Sequence, residues 1–281
     1  MKTPEIDKTA QEWRESAPYW RLYEATLRTM FTPMTEALVD AAEFAPGQRV
    51  LDIAGGPGEP SLRIASLVGP SGIVVHTDLA LEMVLAARDE ARELGLSNLR
   101  HALMAGQALA FRDRTFDRIA SRMGFMFIPD PLESAGRMLR AVRAGGRVVL
   151  VVWGSRETNP YFRIPGDIVA RYFEAPPDPP DAPVAWRYAE PGKLANLFAA
   201  AGAANVTEKF FQFDITSDLD FEKFWNARQQ LSGSLREKLA GMTESMRATI
   251  HDETRDAMSE FFVTGSMRIP AEALVVTAHV D

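Results

Sequence analysis

The apolar positions of this chain repeat with two periods, and the change from one to the other marks its elements. Val50, Leu51 and Ile53 form a short apolar run ahead of Gly55, Gly56 and Gly58. Leu62, Ile64, Ala65 and Leu67 follow at helical spacing, and Gly69-Pro70 stops them. A second run, Ile73-Val74-Val75-His76-Thr77-Asp78, precedes an amphipathic stretch over 79–94 that Gly95 closes. Asp130-Pro131 opens a helix through Met138, Leu139 and Val142 to Gly145-Gly146. Val148-Val149-Leu150-Val151-Val152 then has the unbroken apolarity of a strand covered on both faces. Strands alternating with helices over residues 45–155 predict βαβ units in an open, mostly parallel twisted sheet, an α/β fold with helices on both faces.

The flanks read differently. Residues 8–44 predict two or three helices, with Trp13, Ala17, Trp20, Leu22 and Tyr23 followed by Leu27, Met30 and Phe31. Thr32-Pro33 reads as the start of a further helix, Thr32 as cap and Pro33 at its first position. Either these helices cap a ligand, with Tyr19, Trp20 or Tyr23 against it, or they pack their aromatic side on the sheet. Residues 156–190 form an insertion whose proline-rich stretch, 175–183, is stiff and extended, a lid or a surface loop. Pro191-Gly192 opens a helix to Ala201-Gly202, residues 206–215 alternate as a strand, 219–263 are helical, and 273–278 make a last strand. The expected organisation is a helical cap over 1–44, an α/β core over 45–155, a lid-like insertion over 156–190, and C-terminal strands over 191–281 carrying the helical insertion 219–263.

The glycine turn after the first strand carries chemistry. Without Cβ atoms the backbone comes close to a ligand, and the helix behind it offers unpaired N–H groups. A dinucleotide pyrophosphate or S-adenosylmethionine would fit there. Gly56-Pro57-Gly58-Glu59-Pro60-Ser61 has Ser where a dinucleotide fingerprint has its third glycine. The Asp52 carboxylate, directed towards the loop, would repel a pyrophosphate and suit an ammonium and a sulfonium. A phosphate-cradling P-loop fails, because no Lys-Ser/Thr pair follows the glycines. Asp78 ends the next strand and can accept from both ribose hydroxyls of either cofactor, so it supports an adenosine-containing ligand without naming it.

The run from Val50 to Pro60, then Asp78-Leu79-Ala80-Leu81-Glu82-Met83, resembles the first two motifs of class I S-adenosylmethionine-dependent methyltransferases. Phe111-Arg112-Asp113-Arg114-Thr115-Phe116-Asp117 resembles their approach to the fourth strand, and Ser121-Arg122-Met123-Gly124-Phe125-Met126-Phe127-Ile128-Pro129-Asp130-Pro131 resembles its end and loop. Arg143-Ala144-Gly145-Gly146-Arg147-Val148-Val149-Leu150 resembles the helix end and fifth strand that follow. The group most similar is the ubiquinone/menaquinone-biosynthesis type, and the likeness covers roughly residues 45–155. It implies a Rossmann-like fold with S-adenosyl-L-methionine as cofactor. It implies that Asp52, Ala54, Gly56 and Gly58 surround the methionine part, that Asp78 holds the ribose, and that Met83 flanks the adenine. Two departures stand out. Ala54 replaces a frequent glycine, and Met104-Ala105-Gly106-Gln107 lacks the Asp often used on the adenine amino group, which leaves Gly106 and Gln107 as the expected contacts.

Sheets of this kind bind ligands beyond the carboxyl ends of their strands, which gathers Asp52, Asp78, Gly106, Arg122 and Trp153 around one crevice. Arg122 reads equally as the partner of a cofactor carboxylate or acidic substrate and as a structural partner of Asp117 or Asp130. Phe125, Phe127, Trp153 and Trp186, with Tyr19 and Trp20, are the aromatic candidates for an acceptor site, though any one of them also reads as core.

Composition narrows the partners. The 281 residues carry a net charge of −7, which offers no basic face to nucleic acid. The absence of cysteine excludes disulfides, a thiolate metal site, a cysteine nucleophile and thiolate-dependent methylation such as that of arsenic. Neither a signal peptide nor a membrane span is visible, so the expected location is cytoplasmic; the oligomeric state stays open. A general base is poorly represented. His76, His101 and His279 fall in strands, and His251, on a late helix, is the first candidate among weak ones. No His/Asp/Glu group has metal spacing, and Asp252-Glu253 with Asp256 reads as a solvated face. The expected function is transfer of a methyl group to a C, O or N acceptor on a small, largely apolar molecule, aromatic or quinone-like. An NAD(P)-dependent oxidoreductase would need a pair such as Tyr-x-x-x-Lys, and Tyr188 with Lys193 has the wrong spacing. A non-catalytic protein keeping the fold is the remaining alternative.

Overall fold

The computed structural model describes residues 4–172, 179, 181–263 and 265–281. Along the chain run α1 (Pro4–Leu22), α2 (Glu24–Ala42), β1 (Arg49–Ile53), α3 (Ser61–Val68), β2 (Ile73–Asp78), α4 (Leu81–Glu93) and β3 (Leu99–Leu103). Then come β4 (Phe116–Arg122), α5 (Pro131–Ala141), β5 (Val142–Trp153), α6 (Pro160–Ala170), α7 (Lys193–Ala200) and β6 (Asn205–Ser217). The chain closes with α8 (Phe221–Leu231), α9 (Gly233–Ala240), α10 (Glu244–Ala257), β7 (Phe262–Val263) and β8 (Ser266–His279).

These strands form one sheet in the order β3-β2-β1-β4-β5-β8-β6, with β7 paired to β8. The five strands from β3 to β5 are parallel, and β8 runs antiparallel between β5 and β6. Helices cover both faces, so the central strands are buried on either side, as Val148 to Val152 show. The order reverses between β1 and β4, and the crevice this opens lies beyond the ends of β1, β2 and β4. The sheet is the open α/β arrangement that the periodicity predicts.

Four local expectations change, and one of them is the helix read through Val142 to Gly145-Gly146, which ends at Ala141, with β5 beginning at Val142. No new helix begins at Thr32-Pro33, because α2 runs through both residues. An interior proline costs about 3 kcal/mol. The continuous buried face of Leu27, Met30, Phe31, Met34 and Leu38 offsets it, each side chain contributing about 1.5–3 kcal/mol. The insertion after β5 is not only loop. Helix α6 starts at Pro160 and buries Tyr161, Ile168 and Val169 against β8 and α10, while Tyr188 further on is buried beside Phe125. Residues 173–178 and 180 lie outside the described residues, and most of the proline-rich stretch with them. Finally, the last strand is 14 residues long and pairs with β6 from Met267 to His279, well beyond its apolar end. Among the described residues no helix is long and apolar enough to cross a membrane.

Candidate functional site

The site grows out of the end of β1. Ile53 is the last extended residue; Ala54 then turns to φ 55° and Gly56 to φ 59°. Only Gly55 fits between them, since a Cβ there would lie 2.5 Å from the His76 ring and 2.7 Å from an Asp52 carboxylate oxygen. At Gly56 the position of a Cβ is open space. The Gly56 peptide is held from both sides by β2. Its N–H donates to Asp78 Oδ2 at 3.0 Å, and its carbonyl accepts from His76 Nε2 at 2.9 Å. The second Asp78 oxygen accepts from the Ala80 N–H at 2.9 Å, which fixes the carboxylate at the strand end.

Above this loop lies a cavity of about 1020 Å3, its open mouth included. Of the residues singled out in the sequence, Ala54, Gly56, Asp78, Met83, Gly106, Gln107, Arg122 and Trp20 stand in its wall. Asp52 does not; it is fully buried behind the loop, accepting from Ser61 Oγ at 2.5 Å. Gly58, at φ 145°, faces Leu62 rather than the cavity. Gly106 belongs to a single 3-10 turn, where a Cβ would run into Ile128, and its carbonyl accepts from Ser134 Oγ at 2.9 Å.

Phe127 apart, the other aromatic candidates lie elsewhere. Phe125 is fully buried between Tyr188 and Phe198. Trp153 packs among Phe31, Phe162 and Phe213. Tyr19 lies under the Arg236 guanidinium at 5.1 Å, and Trp186 under that of Arg156 at 5.7 Å. His251 pairs with Glu222 at 2.9 Å and with Asp252 at 3.1 Å on α10, away from the cavity. Arg122 takes neither Asp117 nor Asp130. Its guanidinium donates to Thr35 Oγ1 at 2.7 Å and to the Glu59 carbonyl at 3.3 Å, while Asp117 binds the Arg49 N–H and Arg143, and Asp130 caps α5.

Glu24, Arg28 and Glu59 are wall residues to which the sequence reading gave no role, while Phe127, one of its aromatic candidates, does stand in the wall. Glu24 and Arg28 of α2 form an i,i+4 pair at 2.5 Å that faces the cavity, and Arg28 also reaches Glu90 at 2.9 Å. Glu59 follows the last loop glycine directly. Trp13 and Phe127, 5.4 Å apart, close one side with Trp20. The usable signals were the i,i+4 spacing of Glu24 and Arg28 and the charge placed against the glycine turn.

Burial dominates the electrostatics. It pushes Asp52 up to about 7, against the Ser61 bond and the Arg122 charge, and Asp78 up to about 6, against the N–H groups of Ala80 and Gly56. Glu59 is raised by burial despite Arg122 and Arg28 nearby, and Arg122 is lowered by burial despite Glu59 and Asp52. His76 is pushed down to about 4 by burial, so it is neutral at pH 7 and donates through Nε2–H to the Gly56 carbonyl. Three carboxylates (Glu24, Glu59, Asp78) and two guanidiniums (Arg28, Arg122) stand in the wall, a balance that favours a cationic ligand.

A glycine turn after the first strand, a carboxylate ending the second and a cavity beyond the sheet's switch point define a class I S-adenosylmethionine-dependent methyltransferase fold. Within that class, residues 34–173 match the ubiE/COQ5 methyltransferase family, and the α/β core of this chain belongs to it. An aklanonic acid methyltransferase, DauC, from Streptomyces sp. (strain C5) is 36% identical over 133 residues, 47% of this chain and 57% of that protein. The ubiquinone/menaquinone biosynthesis C-methyltransferase UbiE of Pasteurella multocida is 31% identical over 127 residues, 45% of this chain and 47% of its own length. The chain thus spans about half the length of the curated relatives it matches. Among solved structures, the YcgJ protein of Bacillus subtilis superposes with a TM-score of 0.57 at 19% identity, over 89% of this chain and 99% of that one, a likeness of fold.

Proposed function

We propose that this protein moves a methyl group from S-adenosylmethionine to a C, O or N atom of a small, largely apolar acceptor, aromatic or quinone-like. One observation carries the reading: the glycine loop, the strand-end Asp78 and the aromatic wall of Trp13, Trp20 and Phe127 share one cavity. The residues fit an adenosyl ligand. Gly56 leaves room where a Cβ would stand, and Asp78 uses two of about four carboxylate lone pairs on backbone N–H groups, which leaves two for a ribose diol. Met83, Gly106 and Gln107 would border the adenine, and Ala54 and Gly56 the methionine part.

When bound, the cofactor supplies an electrophilic methyl on a sulfonium, and the protein supplies position and dryness. The carboxylates of the wall favour the positive charge. An acceptor atom that carries a proton would have to give it up on methylation, so the wall would need a group to receive it. Glu59 is the wall carboxylate that no hydrogen bond engages among the described residues, and burial raises its proton affinity. It is the acid-base group the wall offers. His251, on α10, does not line the cavity and pairs with Glu222 and Asp252 instead.

Calorimetric titration with S-adenosylmethionine, S-adenosylhomocysteine, NAD and NADP tests the reading. Binding of the two sulfur compounds alone is the expected result. Binding of a nicotinamide dinucleotide would replace methyl transfer with hydride transfer, and no binding by any of the four would leave a fold without its cofactor.

A further inference from the structure

A second unclaimed charge lies outside this cavity. Arg228 of α8 is 8% exposed, yet no ion pair or hydrogen bond engages its guanidinium among the described residues, and its Nε is enclosed without a partner. The guanidinium lies over the ring of Tyr161 at 4.8 Å and near that of Phe162 at 5.3 Å. The Tyr161 hydroxyl is likewise unbonded among the described residues, although the side chain is 4% exposed. Burial lowers the proton affinity of Arg228, and among the described residues Tyr161 is the one group that opposes this. The two rings replace only part of the hydration that burial takes from the guanidinium, so its N–H donors and the phenol O–H stand together without a protein partner among the described residues.

Position gives this pair a use. Tyr161 and Phe162 open α6, directly after the carboxyl end of β5, on the side of the sheet where ligands bind. Phe162 touches Trp153, Trp153 touches Phe31, and the Phe31 carbonyl meets Arg122 in the cavity wall. A run of packed rings thus lies between Arg228 and the wall of the cofactor cavity. We propose that Arg228, with Tyr161 and Phe162, forms an anion-binding subsite for a carboxylate carried by a flat aromatic ring of the methyl acceptor. A carboxylate answers the forked guanidinium and the phenol donor together, and a flat ring stacks on the faces that flank them. This subsite rests on the methyltransferase reading for its role in catalysis, but not for its ability to bind.

The test titrates the full chain, at constant ionic strength, with 1-hydroxy-2-naphthoate and with its neutral amide. Each titration is run without cofactor and with saturating S-adenosylhomocysteine. The naphthoate is expected to bind at least about tenfold more tightly than the amide. Arg228→Met should erase that preference, leave S-adenosylhomocysteine affinity unchanged, and melt no lower than the parent, because a buried cation whose hydration is only partly replaced has been removed. Tyr161→Phe, which keeps the ring, should reduce the preference and serves if Arg228→Met does not fold. Equal binding of acid and amide, no binding of either, or a preference that survives both substitutions overturns the subsite. A melting temperature that falls in Arg228→Met with the preference intact assigns Arg228 to packing alone. Failure of S-adenosylhomocysteine to bind the parent would defeat the methyltransferase reading while leaving the cofactor-free titrations interpretable.

Discussion

The two halves of the sheet are built by different means. From β3 to β5 the strands are parallel, the first three are five or six residues long, and glycine turns fix their ends. From β8 to β6 they are antiparallel and thirteen or fourteen residues long, and the helices over them are held by aromatic contacts between distant segments. In the first half a side chain's role follows from its distance to a glycine. In the second it follows from partners on other elements, such as Phe224 for Tyr161 and Phe213 for Trp153. On the proposed reading, the difference separates a half whose backbone would face the cofactor from one whose side chains would shape what the cofactor meets.

The comparison breaks first, if at all, at Phe125, which sits in the loop after β4 but packs with Tyr188 and Phe198 from the later part of the chain. Phe125→Ala should cost about 3–5 kcal/mol of stability by urea unfolding, while the folded fraction binds S-adenosylhomocysteine as the parent does. A loss of binding with little loss of stability would move Phe125 from the packed half to the ligand half. Gly56→Leu should do the opposite. Its side chain enters open cavity space, so affinity should fall beyond detection near the parent's Kd, with a stability cost of only about 1–2 kcal/mol for the left-handed backbone. Asp78→Ala should weaken S-adenosylhomocysteine by roughly ten- to a hundredfold, about 1.5–3 kcal/mol, measured by calorimetry. An unchanged Kd would remove Asp78 from the ribose.

The smallest effect is one of pH. Asp52 stands near 7 in the folded chain, above the usual aspartate value of about 3.9, so the native state keeps a proton that the unfolded chain releases. Its contribution is complete below the unfolded value and disappears as pH rises through about 7. Melting temperature should therefore fall between about pH 5 and about pH 8, and Asp52→Asn should flatten part of that slope while Asp78, raised in the same direction, keeps the rest. An unaltered slope in the variant would place the titration elsewhere.

Legibility in the sequence follows the same division. The β1–α3–β2 unit is readable because its information is local: apolar runs with period two, a helix with period 3.6, and glycine stops between them. Gly56 and Asp78 belong to that unit and stand in the cavity wall, where Met83 of α4 and Gln107, in the turn after β3, join them. Pro33 misdirects a local reading, because what keeps α2 continuous is its buried face rather than its own residues' preferences. Phe125 and Trp153 cannot be told from acceptor-site aromatics by type or spacing. Which way each ring faces is decided by Tyr188 and Phe198, or by Phe162 and Phe213, all later in the chain. Arg228 is invisible for the same reason, since a charged residue on an amphipathic helix reads as solvated until its neighbours are known.

One peptide unit has a thermodynamic consequence. Gly56 offers its N–H to Asp78 and its carbonyl to His76, both from β2, so the loop is ordered before any ligand arrives. The conformational entropy of ordering that turn is therefore charged to folding and not to binding. On the proposed reading, affinity for the cofactor depends on the integrity of one strand, and loosening β2 would weaken the complex without removing a single ligand contact.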